Sequence, residues 1–203
     1  MLRMTGIAAL GLIAGASANA GIVYSGGGGT IPNNTGASLI STVTANTAAT
    51  ITDVIFSITL NHNWMGDIRA SVTHVSTGTT VWLFNKVGAS GGTGNGDASD
   101  FNGTYRFNPT FAGNLWTVAG IAGSSSTVAP GDYKPTTVNG TNVNFTSFVG
   151  LSATSDWKLE VHDNGTGGSG AVTGWSVEVF VIPSSGSMAL AGMAGLVGLR
   201  RRR

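Results

Sequence analysis

The stretch ITDVIFSITLNHNWMGDIRASVTHVSTGTTVWLF, residues 51–84, decides the fold of this 203-residue chain. Apolar residues recur at every second position through residues 54–60 and again through 68–72. A period of two places successive side chains on opposite faces of a strand. The intervening Trp64-Met65-Gly66-Asp67 carries turn residues. The stretch therefore predicts two half-buried β-strands joined by a tight turn.

The same alternation recurs on both sides of this stretch. Further strands are predicted at residues 39–44, 81–84, 157–161 and 175–179. Turns are predicted at residues 76–78, 130–132 and 164–165. No tandem repeat and no amphipathic helix is indicated inside the body. Short strands at regular spacing, in a chain with 32 glycines, are typical of an all-β sandwich or jelly roll.

Composition excludes several classes of function. Residues 21–182 contain five basic and nine acidic residues, a formal charge of −4, so a clustered basic face for nucleic acid is not expected. The chain has no cysteine, which excludes disulfides, thiol catalysis and Cys-ligated metal sites. Stability must therefore come from packing, with a bound cation as the other source.

The N-terminus has the pattern of a secretory signal peptide. Arg3 precedes an apolar stretch at residues 6–15, and Ala18-Asn19-Ala20 forms a small-residue cleavage site. Residues 1–20 are predicted to be removed, so that the mature protein begins at Gly21. The alternative, a buried N-terminal helix, is weakened by the glycines within the segment.

The C-terminal residues 183–203 are predicted to form a sorting or membrane tail. Thirteen mostly apolar residues, 187–199, precede four arginines, 200–203. As a helix, thirteen residues reach about 20 Å against a hydrocarbon core of about 30 Å, and the arginines favour a cytoplasmic C-terminus. This short apolar helix with a basic end resembles the PEP-CTERM class of sorting signals, whose tails a membrane enzyme recognises and usually cleaves. It departs from that class where Pro183-Ser184-Ser185 replaces Pro-Glu-Pro. A simple C-terminal membrane anchor is the alternative.

The body itself, residues 21–182, resembles the P/Homo B domain of proprotein convertases. In the first half the similarity is carried by His62, Trp64, the pair Gly66-Asp67 and the turn Gly78-Thr79. In the second half it is carried by Pro130-Gly131-Asp132-Tyr133, Phe148-Val149-Gly150, and Trp157, Asp163, Gly170 and Trp175 within DWKLEVHDNGTGGSGAVTGWSVEVF. Ile31-Pro32-Asn33 is similar to the opening of the family.

The resemblance implies a jelly-roll β-sandwich of the galactose-binding-like kind. In the convertases this domain packs against a subtilisin-like protease and stabilises it. The aspartate and histidine motifs of that protease are not found in this chain, so no catalytic triad is expected and the chain is not predicted to be an enzyme.

Four aspartates are candidate ligands for Ca²⁺, the one cofactor that the sequence suggests. Asp67 and Asp163 each follow a strand and open a glycine-containing turn, which suits either capping of turn amides or oxygen ligation of calcium. Asp97 and Asp100 lie in the glycine-rich GGTGNGDASD, where they could surround a cation, although the segment is more typical of a flexible, solvated loop. His62 is expected to hydrogen-bond to the turn backbone or to Asp67.

Aromatic residues after this loop have two interpretations. Phe101, Tyr105, Phe107, Phe111 and Trp116 are expected to pack in the core, although exposed aromatic rings could also stack on sugars.

The sequence thus predicts an exported, non-catalytic module of the cell surface or extracellular matrix that binds a protein or a polysaccharide. The alternative is an accessory P domain of extracellular proteolysis, which stabilises or addresses a separate subtilisin-like serine endopeptidase. Both interpretations also expect a sorting enzyme acting on the tail, transient membrane association, and no nucleic-acid partner. A third interpretation, a hydrolase built from His62, Asp67 and Asp163, would require turnover that Asp67→Ala abolishes.

Overall fold

The computed structural model describes residues 21–33, 36–92 and 94–183. These residues form an all-β protein. The strands are β1 (Ile22–Gly26), β2 (Gly29–Thr30), β3 (Ser38–His62), β4 (Ile68–His74), β5 (Thr79–Asn85), β6 (Phe101–Phe107), β7 (Gly131–Tyr133), β8 (Ser152–Asp163) and β9 (Gly170–Pro183). One helix, α1 (Leu115–Ala122), and three 3-10 turns, Met65–Asp67, Ser90–Gly92 and Val138–Gly140, complete the described elements.

Strand β3 is shared between two layers. Its first part, residues 38–46, pairs with β8, and its last part, residues 49–62, pairs with β9 on one side and β6 on the other. The register shifts between Asn46 and Thr50. Layer A therefore has the order β7-β6-β3-β9-β1, and layer B has the order β3-β8-β4-β5. All pairings are antiparallel except that of β6 with β7.

Aromatic side chains between the layers form the core. The Phe56 ring of layer A lies 5.5 Å from the Trp157 ring of layer B, and both side chains are fully buried. At the other side of the core, Phe84 of β5 packs 5.8 Å from Phe107 of β6. Burial of such rings contributes about 2 kcal/mol each, so contact between the layers is a main source of stability.

The predicted strands are confirmed, although the sequence did not predict β1, β2 and β6, and three other places differ. Residues 39–44 and 54–60, predicted as separate strands, are continuous within β3, where the small and polar residues between them keep their strand pairing across a shift in register. The turn predicted at residues 130–132 is wrong, since Gly131–Tyr133 pairs with β6. The body also contains a helix, α1, capped by the Asn114 side chain; it is apolar on nearly every side and so shows no amphipathic period.

The predictions for the two ends lie outside the described residues. These are the signal peptide at residues 1–20 and, apart from Pro183 at the end of β9, the tail at residues 183–203. In the part of the chain that is described, no helix combines the length and the apolar character needed to cross a bilayer.

Candidate functional site

Three polar side chains that carry the family resemblance meet at one end of the sandwich, and we call them the His62 cluster: His62, Asp67 and Asp163. His62 ends β3, Asp67 precedes β4, and Asp163 ends β8. The pairing of Ile68 with Asp163 brings the last two together. All three are buried, with exposed fractions of 2%, 4% and 0%. The cluster is thus part of the interior.

His62 and Asp163 form the central contact. His62 Nε2 lies 3.2 Å from Asp163 Oδ2, and neither side chain is exposed. On the other side of the ring, the Trp64 backbone N–H donates to His62 Nδ1 at 3.2 Å. Nδ1 also lies 2.9 Å from the Trp64 carbonyl oxygen, so both ring nitrogens face protein partners. His62 bonds to turn backbone as predicted, but its carboxylate partner is Asp163 and not Asp67.

Asp163 also caps the turn that follows it. Its Oδ1 accepts from the Gly165 backbone N–H at 2.9 Å, which confirms the capping role predicted for this aspartate. The Asn164 N–H donates to the Asp67 carbonyl at 2.9 Å. The turn after β8 is thereby tied to the turn before β4.

Asp67 is the member of the cluster whose carboxylate is not fully hydrogen-bonded. Its Oδ1 is buried without a hydrogen-bond partner in the described structure. Burial raises the pKa of the Asp67 carboxyl above its ordinary value, and the neighbouring Asp163 carboxylate raises it further, whereas His62 and Lys86 act in the opposite direction. A negative charge on Asp67 is therefore unfavourable in the folded protein.

Glycines allow the surrounding loops to pack directly against the Asp67 side chain and its turn. A Cβ on Gly165 would lie 1.9 Å from Asp67 Cγ, and a Cβ on Gly66 would lie 2.3 Å from the Asp97 backbone nitrogen. The motif glycines are thus required by contact between backbones and side chains. This is a packing requirement that the sequence pattern alone did not identify.

The second half of the glycine-rich segment contacts the turn that carries Asp67. Gly66 N–H donates to the Asp97 carbonyl at 2.9 Å, and the Trp64 indole N–H donates to the Asn95 carbonyl at 2.6 Å. These contacts fix the segment against the turn that carries Asp67. Asn95 is nevertheless exposed, and the flexible, solvated loop stays a prediction.

The four predicted calcium ligands lie near the same end but have different surroundings. Asp97 Oδ1 accepts from Ser99 N–H at 2.8 Å, Asp163 is paired with His62, and Asp100 Oδ1 is buried without a partner. Within the described ranges, no three His, Asp or Glu side chains form a group arranged to hold a metal ion. Calcium binding stays a prediction.

The aromatic residues predicted to enter the core mostly do so. Phe101, Tyr105 and Phe107 are buried, whereas Phe111 and Trp116 are half-buried. Phe101 also borders an open pocket of ≈ 420 Å³, whose other walls are polar and include His62, Asp100 and Asn102.

The fold and the cluster define a β-sandwich with one end closed by a buried His–Asp pair. No protein-family model matches the sequence, and no curated protein is significantly similar to it. Among solved structures, the serine protease of Aeromonas sobria is 16% identical with a TM-score of 0.45, over 76% of this chain and 25% of that one. The structure of that protease in complex with its chaperone is 17% identical with a TM-score of 0.44, over 77% of this chain and 25% of that one. The chain spans about a quarter of the length of the chains it matches. At this identity and TM-score the likeness establishes nothing about function.

Replacement of His62 by alanine should strongly destabilise the fold. It leaves the Asp163 carboxylate buried without its ring partner, and loss of one member of a buried pair costs about 3 kcal/mol or more. Guanidinium unfolding measures this loss. The matched control is His162→Ala, which lies next to Asp163 on β8 and is half-buried, and it should stay within about 1 kcal/mol of the unmodified protein. Equal losses in the two variants would show that the pair is not structural.

Replacement of Asp67 by asparagine should raise the melting temperature at neutral pH. A carboxyl whose pKa is raised on folding stabilises the protein fully below its ordinary value of 3.8, and that contribution is lost as pH rises through the raised value. Asparagine has a similar shape without the charge. The gain should therefore be present at pH 7 and vanish near pH 3, as followed by thermal unfolding, with exposed Asp156→Asn as the control.

The same thermal unfolding experiment tests calcium. A less stable Asp67→Asn variant at pH 7 would mean that a positive charge holds the carboxylate in its ionised form. A ligand that binds only the folded state stabilises it by about 2.7 kcal/mol at a hundredfold excess over Kd. If calcium binds, millimolar CaCl₂ raises the melting temperature of the unmodified chain over that in EDTA and leaves Asp67→Asn unchanged. No shift in either protein would exclude millimolar or tighter binding at Asp67.

Proposed function

We propose that this chain is an exported, non-catalytic module of the P/Homo B type that binds a separate subtilisin-like serine endopeptidase and stabilises or addresses it. The observation that carries the proposal is the buried contact between His62 and Asp163. These residues come from the two halves of the resemblance and meet at 3.2 Å. The motifs thus act together as parts of one folded unit.

Burial of the cluster favours binding over catalysis. Neither His62 nor Asp163 exposes its side chain, and both nitrogens of the His62 ring already face protein partners. A general base must reach the proton that it removes from a nucleophile or substrate. In this geometry the His62 ring holds two turns in place. Partner binding is therefore assigned to the outer surface of the sandwich.

The resemblance to P/Homo B domains suggests which protein binds to that surface. P/Homo B domains of proprotein convertases are jelly rolls that pack against a subtilisin-like protease, and we propose the same jelly-roll topology for residues 21–182. We propose that the protease is a separate chain, so that the interaction occurs in trans.

A second candidate function is a surface or matrix module that binds a polysaccharide. It is favoured by one observation, a cleft on the outer face of layer B in which an arginine has no carboxylate partner.

Export is part of the proposal. Residues 1–20 would direct secretion, and residues 183–203 would hold the module at the cell surface until a sorting enzyme of the PEP-CTERM type cuts the tail. N-terminal sequencing of protein from the cell envelope and medium should give Gly21 as the first residue. Ala20→Arg should prevent that cleavage and retain the chain in the membrane. A cytoplasmic protein that begins at Met1 would contradict export.

The proteolytic role is tested with the subtilisin-like endopeptidases of the same organism. Addition of the chain should lengthen the half-life of one such protease at an inactivating temperature by about twofold or more, saturating near one chain per protease, because a partner bound only to the folded state stabilises it. Serum albumin at the same concentration is the control. If no co-secreted protease is bound or protected, the accessory role is wrong.

A further inference from the structure

The outer face of layer B carries a small cleft that lies away from the His62 cluster. The strand register places His162 opposite Arg69, and Glu160 opposite Ser71, which in turn lies opposite Trp82. The cleft has a volume of ≈ 170 Å³, and its walls are Arg69, Ser71, Thr80, Trp82, Glu160 and His162. These side chains point outward because the alternate positions of β4, β5 and β8 fill the core.

Arg69 is held beside an aromatic ring and has no acidic partner. Its Cζ lies 5.7 Å from the centre of the Trp82 ring, a cation–π distance. Within the described structure no carboxylate lies within ion-pair distance of Arg69. The acid of the cleft, Glu160, is instead engaged by Lys158 at 3.4 Å and by the Ser38 hydroxyl at 2.9 Å. The guanidinium is therefore positioned with its hydrogen-bond donors available.

A second polar group of the cleft also lacks a protein partner. His162 Nδ1 is buried and has no hydrogen-bond partner in the described structure, and Ser71 and Trp82 line the same cleft. Buried polar groups are usually hydrogen-bonded. A buried, unpartnered nitrogen beside an arginine without a carboxylate partner indicates a ligand that would satisfy both.

The chemistry of the walls selects a carboxylated sugar. An arginine fork matches the geometry of a carboxylate, with which it forms two parallel hydrogen bonds. The Trp82 ring offers an apolar surface, and the volume is below that of pockets for drug-sized ligands, which suits one ring or side chain. The Glu160 oxygens already accept from Ser38 and Lys158, but each has a further lone pair that can accept from a hydroxyl of a ligand. A uronic acid has the carboxylate, the hydroxyls and an apolar ring face, whereas an acidic peptide side chain has only the carboxylate.

We propose that this cleft binds a uronic acid residue of an acidic polysaccharide. Arg69 pairs with the carboxylate, Trp82 borders the ring, and Glu160 accepts a sugar hydroxyl. This site goes beyond the protease-binding role and does not depend on it. Because the body carries a formal charge of −4, the interaction is confined to this cleft and does not extend along a basic surface.

The test is calorimetric titration of the full chain with tetragalacturonate. Neutral cellotetraose and a tetraglutamate peptide are titrated in parallel. Tetragalacturonate should bind, and the other two should bind at least about tenfold more weakly. Arg69→Gln should weaken binding by about tenfold or more, since hydrogen bonds to a charged group are of that size.

The matched control is Arg106→Gln, which removes the same charge from layer A, where Arg106 pairs with Asp132 at 3.0 Å. It should leave the affinity for tetragalacturonate unchanged within about twofold. If Arg69→Gln does not fold, Arg69→Lys keeps the charge but not the fork, and it should still weaken binding. The proposal is overturned if the unmodified chain does not bind the uronate, if the two glutamine variants weaken binding equally, or if tetraglutamate binds as well as the sugar.

Discussion

Strand β3 pairs with neighbours in both layers of the sandwich, and the positions of the core and of the His62 cluster depend on that pairing. It hydrogen-bonds to β8 in layer B and then, after the register shift between Asn46 and Thr50, to β6 and β9 in layer A. The register places Phe56 against Trp157 and brings His62 to the end of the layer. Since successive side chains alternate between faces, a slip of one residue would turn the apolar side chains of β3 towards solvent.

The strands that sequence reasoning identified are those with one apolar and one polar face. Residues 54–60, 68–72 and 157–161 alternate cleanly because one side of each strand packs in the core while the other meets solvent. Strand β6 was missed as a strand because Gly103 interrupts its inward-facing positions, although its aromatic residues were correctly expected in the core. Helix α1 was missed for the opposite reason, since it is apolar on nearly every side.

The candidate site was only partly predictable, because long-range pairing decides its contacts. His62 and Asp67 flank one turn, so the local sequence makes Asp67 the natural partner for the ring. The actual partner, Asp163, arrives through the pairing of β4 with β8, about a hundred residues further along the chain. Asp67 is left beside the pair with an unpartnered oxygen. Strand register decides whether Asp67 or Asp163 pairs with His62, and no pattern in a single sequence specifies register over that distance.

Because this protein has few charged residues, an arginine without a carboxylate partner in the outer cleft supports a role in ligand binding. Only 9% of the residues are charged, and hydroxyl pairs such as Thr73 with Thr80, at 2.8 Å, join neighbouring strands on the outer face. Arg106 and Lys158 each have a carboxylate partner. Arg69 has an indole ring in place of one. An arginine that has no surface ion pair, and that lies against a tryptophan beside the unpartnered His162 nitrogen, is placed for recognition of a ligand. The His–Asp pair inside the sandwich instead holds the loops in place.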